Sequence, residues 1–377
     1  MTAAEQKRGT HIGPLDGLRT LAILLVLLYH LTPGRDPDQG LRSLLFKIAD
    51  AGWTGVDLFL VLSGFLITGK LLAARNDEHR FRDFYLRRVL RIFPLYYVAL
   101  IAAFVIERPP FRAQLPFWTY TANLWQPPLG LKIIDVGHLW SLALEEQFYL
   151  LWPFAILLLS RKTAMRICVV MLAVAVGTRY ALASSGAGWF PTFAWTPCRV
   201  DGLAVGSWLA LWMAGRNAGQ TGVSVPQKFG TEKPILDVGQ TLLSVRSRLY
   251  SHAVLLATAI PLAWMVWRGK TGLVFVASDV GFRTILPLLF SLFYGALLVS
   301  VLDIRILGAK PFQLGARYSY GIYIVHLLFY PLLLGVIPYR GLAFFLIVTA
   351  LSTVMAVLSY HGFERYFLRM KPGTMRR

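Results

Sequence analysis

About ten stretches of this 377-residue chain are long and apolar enough to cross a bilayer, and that recurrence constrains the fold more than any motif does. A spanning helix needs roughly 20 mainly apolar residues, because lipid offers no hydrogen-bond partners and each segment must satisfy its backbone internally. The stretches lie at 12–31, 52–73, 86–106, 140–160, 164–183, 198–214, 251–268, 282–302, 318–336 and 341–360, with charged connectors between them. Composition agrees: 56% of the residues are hydrophobic and 15% charged, against roughly 25% charged in an ordinary soluble domain. The expected fold is all-α and integral to the membrane, a single bundle of about ten transmembrane helices over residues 1–377.

The formal net charge of +19 raises the question of nucleic acid, and the placement of the charges answers it. With the N-terminus in the cytoplasm, alternate connectors carry Lys7 and Arg8, then Arg75, Arg80, Arg82, Arg87 and Arg88, then Arg161, Lys162 and Arg166. The same side receives Arg305, Lys310 and Arg317, and finally Arg365, Arg369 and Lys371. About 23 Lys and Arg fall on that side and about 9 on the other, which is the positive-inside asymmetry. Both termini are therefore expected in the cytoplasm, with the basic excess facing anionic lipid headgroups and no nucleic acid.

A cleaved signal peptide is not expected, since Asp16, Arg19 and His30 interrupt the first apolar run and no small-residue cleavage site follows. Cys168 and Cys198 fall in or beside predicted spans and suggest neither a disulfide framework nor a metal site. Neither a metal nor a permanently bound cofactor is expected, because no metal-ligand spacing or Gly-rich phosphate loop occurs. The longest connector, 215–250, reads as a mobile cytoplasmic loop from its Gly, Gln, Ser, Thr and Lys content. The connector 107–137, with five prolines and several aromatics, reads as an ordered lid on the outer face. No internal repeat is evident, which counts against the paired-repeat transporter architectures.

Ionisable groups inside spans cost a few kcal/mol each, so each is a candidate functional residue. In DGLRTLAILLVLLYH, Arg19 and His30 are eleven residues apart, which puts them within about 20° on one helix face and separates them by about 16 Å along it. The second span carries Asp57 near its outer end and the pair Ser63-Gly64, small enough for close helix approach. The third opens with Arg87, Arg88 and Arg91, whose spacing projects guanidinium groups from one side and suits them to phosphates. The fourth is entered through His138, Trp140, Ser141, Glu145 and Glu146, at the same outer end as His30. One of the two carboxylates is expected to orient His30 as a base, though adjacent residues on a helix point in different directions. Arg199 and Asp201 are expected to form an internal ion pair, and Tyr323 and His326 share a face of the ninth span.

Six segments, in this order, resemble acyltransferase family 3 of membrane proteins, which includes bacterial O-antigen and exopolysaccharide O-acetylases and macrolide acyltransferases. They are LDGLRTLAILLVLLYH, GVDLFLVLSGFLIT, FYLRRVLRIFPLYY, HLWSLALEEQFYLLWP, RVDGL and YSYGIYIVH, and they cover almost the whole chain. The resemblance implies a ten-helix bundle in the bacterial inner membrane. It also implies acyl-CoA as cytoplasmic donor, His30 as the catalytic residue, and Arg19, Arg88 and Arg91 as donor-site residues. Ser63 joins that group as a candidate. Many relatives add a further helix and an extracytoplasmic hydrolase-like domain, neither of which is expected within these residues.

Together these readings predict transfer of an acyl group, acetyl in the first instance, to a hydroxyl of a carbohydrate, glycolipid or macrolide-type acceptor. His30, Asp57 and Glu145 or Glu146 are the expected catalytic cluster, with His30 as general base or transient acyl carrier. His138, Ser141, Arg199, Asp201, Tyr323 and His326 are expected to contact substrate or to support the site. The competing expectation is a lipid or glycolipid transporter or flippase, in which the same buried charges form a substrate or proton path.

Overall fold

The structure is a computed structural model that describes residues 12–31, 41–125, 136–220, 245–268, 279–328, 333 and 342–371. It is all-helical, with no strand among the described residues. The chain runs through α1 (Gly13–Leu31), α2 (Leu41–Asp50), α3 (Gly55–Ala73), α4 (Arg80–Glu107), α5 (Phe111–Trp118) and α6 (Trp140–Leu158). It continues through α7 (Arg161–Ser184), α8 (Trp189–Ala194), α9 (Thr196–Arg199), α10 (Asp201–Gln220), α11 (Val245–Trp267) and α12 (Val280–Val301). Last come α13 (Lys310–Val325), α14 (Leu342–Ser359), a π turn at Tyr360–Glu364 and α15 (Arg365–Arg369).

Seven helical stretches among the described residues are long and apolar enough to cross a membrane: Gly13–Leu31, Phe46–Ala73, Arg80–Glu107, Arg161–Ser184, Leu249–Trp267, Val280–Val301 and Ala343–Arg369. Three of the ten predicted stretches are not in that set. The segments 140–160 and 198–214 form α6 and α10, helices that place Glu145, Glu146 and Asp201 inside the bundle. Of the segment 318–336, residues 318–325 form the end of α13, a helix of 16 described residues, and most of 329–336 lies outside the described residues. Most residues between α13 and α14 lie outside the described ones. The predicted 215–250 connector is narrower than expected, because α10 continues to Gln220 and α11 begins at Val245; residues 221–244 lie outside the described residues. So do Lys7, Arg8 and residues 126–135 of the expected lid.

Outward faces are strongly apolar: Val105, Leu151, Leu158 and Ile260 each keep more than half of their surface exposed, at 64, 69, 58 and 68%. Apolar surface this extensive suits lipid tails and not water. The chain is a multi-pass membrane protein. Helix ends follow local chemistry. Helix α4 stops where Arg108 turns left-handed, at φ 50°, just before Pro109 and Pro110, which cannot continue it. Ser160 caps α7 by accepting from the Thr163 backbone N–H at 3.1 Å.

In lipid, apolar surface alone drives little helix association, so close backbone approach and polar contacts must hold the bundle. Helices α3 and α10 meet at glycines. A Cβ on Gly64 would stand 2.1 Å from the Leu203 carbonyl oxygen, and one on Gly206 would stand 2.0 Å from that of Val61. Ser207 bridges the same crossing by donating to the Gly64 carbonyl at 3.2 Å. Trp152 donates to Thr68 at 2.8 Å, fastening α6 to α3, and Tyr320 donates to the Ile92 carbonyl at 2.7 Å, fastening α13 to α4. Such bonds within membranes average only about 0.6 kcal/mol.

Two buried ion pairs add a stronger constraint. Arg199 lies 2.8 Å from Asp57 and Arg179 lies 2.8 Å from Asp201, and all four side chains are fully buried. The expected Arg199–Asp201 pairing is thus replaced by a crossed arrangement. Residues 199 and 201 sit on either side of the break between α9 and α10, so their side chains diverge toward different neighbours. Arg179 also donates to the Thr284 carbonyl at 2.9 Å and to the Cys198 carbonyl, tying α7, α12 and the α9–α10 break together. The Arg199 guanidinium lies against the rings of Trp140 and Phe193, 5.7 and 5.3 Å from their centres.

Candidate active site

A cavity of about 530 Å³ runs between α1, α3, α4, α6 and α13. At the end nearest the α3–α4 connector its wall carries Arg19, Lys70, Arg80, Arg87, Arg88, Arg91 and Lys371, against three acidic side chains, Asp77, Asp83 and Glu145. Arg19, Arg88 and Arg91, which come from two helices and were grouped by sequence reasoning, therefore line one space. Three and four residues along α4 bring Arg87, Arg88 and Arg91 to one side, as helical spacing requires. Lys70 and Lys371 were not anticipated as part of this cluster. Burial and the neighbouring Arg91, Arg88 and Arg87 push the Lys371 ammonium down to about 8. A concentration of cations this dense needs a polyanion to be at ease.

A second, smaller cavity of about 230 Å³ shares Arg19, Arg91 and Tyr320 with the first and adds Asp16, Arg317 and Glu364. Glu364 is brought there by the π turn that ends α14, an irregularity often found at functional positions.

Glu145 belongs to the cationic part of the larger cavity. It accepts from Ser63 at 3.0 Å and from the Tyr149 hydroxyl at 2.5 Å, and the Arg88 guanidinium covers the Tyr149 ring at 4.6 Å. Ser63, Glu145, Tyr149 and Arg88 form one linked group that fixes the guanidinium over the cavity. The expected bond from a carboxylate to His30 is therefore not made by Glu145. Glu146, one residue on, faces away, within electrostatic reach of Tyr96, Tyr97 and Tyr120. Asp57 is held by Arg199. Neither of the two carboxylates expected to orient His30 does so: Glu145 is taken by Ser63 and Tyr149, and Glu146 faces Tyr96, Tyr97 and Tyr120.

The opposite end of the cavity is closed by Ser141 and Tyr323, whose hydroxyls are 2.5 Å apart, with Tyr323 donating to the His138 carbonyl at 2.8 Å. Behind this pair three imidazoles gather from three elements: His30 from α1, His138 from the turn before α6, and His326 at the end of α13. Ring centres are 5.0 Å apart for His30 and His326, 4.7 Å for His138 and His326, and 6.5 Å for His30 and His138. His30 does not itself line the larger cavity; Tyr323, 5.2 Å from His138 and 5.8 Å from His326, stands between. Sequence reasoning put His138 and Ser141 at the same end as His30 and Tyr323 and His326 on one helix face, and the structure brings all five together. Besides Lys70 and Lys371 it missed Arg179, whose charge inside an otherwise apolar predicted span was the available signal.

Residues 12–361 match the Acyltransferase domain family (Acyl_transf_3). YrhL of Bacillus subtilis is 36% identical over 160 residues, which is 38% of this chain and 23% of that protein. The peptidoglycan O-acetyltransferase OatA of Listeria monocytogenes is 33% identical over 160 residues, 38% of this chain and 24% of that one. The O-acetyltransferase OatA of Staphylococcus aureus is 31% identical over 164 residues, 39% of this chain and 25% of that one. The match thus spans about a quarter of the length of each curated relative. No solved structure matches. With the family pattern covering nearly the whole described bundle, this chain belongs to the acyltransferase family 3 of membrane proteins.

Proposed function

We propose that the protein is a membrane O-acetyltransferase that takes an acetyl group from acetyl-CoA on the cytoplasmic side and passes it to a hydroxyl of a carbohydrate acceptor. In this reading the ten predicted stretches all reach across the bilayer, and both termini and the cationic end of the cavity face the cytoplasm. The observation that carries it is the polarity of the cavity: cations at one end, and at the other a hydroxyl pair backed by three imidazoles. Arg19, Arg88, Arg91, Lys70 and Lys371 hold the nucleotide phosphates, since charge-assisted bonds to phosphate are among the strongest a protein makes. The pantetheine arm lies along the cavity, with its thioester toward Ser141 and Tyr323. Access to His30 then requires the Ser141–Tyr323 contact to open.

As general base, His30 accepts the proton of the acceptor hydroxyl while that oxygen attacks the thioester carbonyl. Collapse of the tetrahedral adduct breaks the C–S bond and releases the CoA thiolate, which takes the proton back from the imidazolium. As carrier, His30 attacks the thioester carbonyl itself and the C–S bond breaks to release the CoA thiolate; the acceptor hydroxyl then attacks the acetyl-imidazolium, the C–N bond breaks, and the hydroxyl proton passes to the thiolate. The peptidoglycan named for the Listeria relative makes peptidoglycan fragments the first acceptor to try. Thiol release from acetyl-CoA by the purified protein, with and without such fragments, tests the reading. Acceptor-dependent release that His30→Ala abolishes supports it; release that is absent from the folded wild type, or retained in His30→Ala, sinks it.

A further inference from the structure

Neither Glu145 nor Glu146 bonds to His30, whose ring nitrogen instead meets Val26 and His326, so the tautomer of that ring must be set by other partners. A neutral imidazole has one N–H and one lone pair, and which nitrogen holds which depends on those partners. His326, fully buried, places its Nδ1 2.8 Å from the carbonyl oxygen of Tyr323. A carbonyl only accepts, so Nδ1 carries the hydrogen and Nε2 carries the lone pair. That lone pair faces His30 Nδ1 at 3.3 Å. His30 Nδ1 is also 3.0 Å from the Val26 carbonyl, one helical turn back. Two acceptors converge on one nitrogen, so the hydrogen of His30 resides on Nδ1, shared between them.

We infer that His326 is the positioning residue for His30, its Nε2 accepting the Nδ1–H of His30 and thereby leaving the lone pair on His30 Nε2. The inference rests on the proposed role of His30. The Val26 carbonyl alone would be a weak director, because it lies in α1 itself, where it is also the i−4 acceptor of the helical ladder. His326 comes from another helix and has its own tautomer fixed by Tyr323, so the arrangement is a relay of two imidazoles anchored on a backbone carbonyl. When His30 becomes an imidazolium during transfer, the same lone pair stabilises it. A carboxylate in this place would orient His30 by adding a charge beside it; a neutral imidazole orients it without one. The titratable groups packed around the pair are His138, whose ring stands edge-on to both, Tyr29 beside His30, and Tyr323 beside His326. Asp50 is within electrostatic reach of Tyr29.

The test compares His326→Leu, which removes the acceptor, with His326→Gln, whose side-chain oxygen reaches the place of Nε2, and His326→Asn, which is polar but too short. Each is purified alongside His30→Ala, and kcat and KM for acetyl-CoA are measured by thiol release with peptidoglycan fragments, with folding checked by gel filtration. Expected is a fall in kcat of about 100-fold or more in the Leu and Asn variants, with KM within about twofold, and recovery to within about tenfold of wild type in the Gln variant. A purely structural His326 would not distinguish Gln from Asn in this way. A Gln variant as inactive as Leu, or a Leu or Asn variant with kcat within about threefold of wild type, overturns the inference if His30→Ala is inactive. Turnover by His30→Ala overturns the proposed function instead.

Discussion

Asp57→Ala should destabilise the protein by about 3–5 kcal/mol, because it strands the Arg199 guanidinium in a fully buried site. The magnitude comes from the pair itself. With N to O at 2.8 Å, the charge centres are about 4 Å apart, and at an effective dielectric of about 20 their attraction is about 4 kcal/mol. Loss of the partner forfeits that attraction while the desolvation of Arg199 persists. Arg199→Met should cost a similar amount for the mirrored reason. The double variant Asp57→Leu with Arg199→Met removes both charges and should be more stable than the sum of the two single losses by about 2 kcal/mol or more. Unfolding in mixed detergent–SDS micelles, followed by Trp fluorescence, measures this. The double variant should keep more than about a tenth of the transfer activity, since Asp57 is here a structural anion. Single losses below about 1 kcal/mol, strict additivity, or a stable double variant without activity would refute the reasoning, the last by returning Asp57 to the chemistry.

Arg88→Gln should raise KM for acetyl-CoA by about 10- to 100-fold with kcat nearly unchanged, the loss of a charge-assisted bond of about 1.5–3 kcal/mol; a fall in kcat alone would contradict a donor-binding role. For Lys371 the sign is set by its depressed ammonium: it is charged below about pH 8 and neutral above, so affinity for the anionic donor should weaken as pH rises through about 8. Lys371→Arg, charged throughout the accessible range, should remove that alkaline limb of KM, and an unchanged limb would exclude Lys371 as its source. Gly206→Ala should destabilise the α3–α10 crossing by about 1–3 kcal/mol, because its Cβ would overlap the Val61 carbonyl, while Gly177→Ala, with open space at its Cβ, should be neutral or mildly stabilising.

What could be read from the residues was whatever a single helix determines. Periodicity along α1 put Arg19 and His30 on one face, spacing along α4 gathered Arg88 and Arg91, and Ser63-Gly64 marked a close crossing that the structure places against Leu203. Partnership between helices was less legible. Glu145 and Asp57 belong to the same predicted outer region as His30, yet their rotation about the helix axis sends one to Ser63 and Tyr149 and the other to Arg199. No one-dimensional pattern fixes that rotation, because it depends on packing angles among four or more helices. Lys371 lines the cavity beyond α14, the π turn and α15, far along the chain from Arg19 and Arg88, and a π turn has no clear sequence mark. The expected count of spans exceeded the seven that meet the criteria of length and composition, since α13 has only 16 described residues and α6 and α10 carry Glu145, Glu146 and Asp201 within their apolar runs.

The central claim is that the donor is bound at the cationic end and the acetyl group leaves at the imidazole end. Protein reconstituted with one orientation in sealed vesicles tests it, with radiolabelled acetyl-CoA on the side of the α3–α4 connector and peptidoglycan fragments confined to the other side. The account predicts that free thiol accumulates with the donor while label appears on the acceptor across the bilayer, and that His30→Ala stops both. Transfer only when donor and acceptor share one compartment would contradict it.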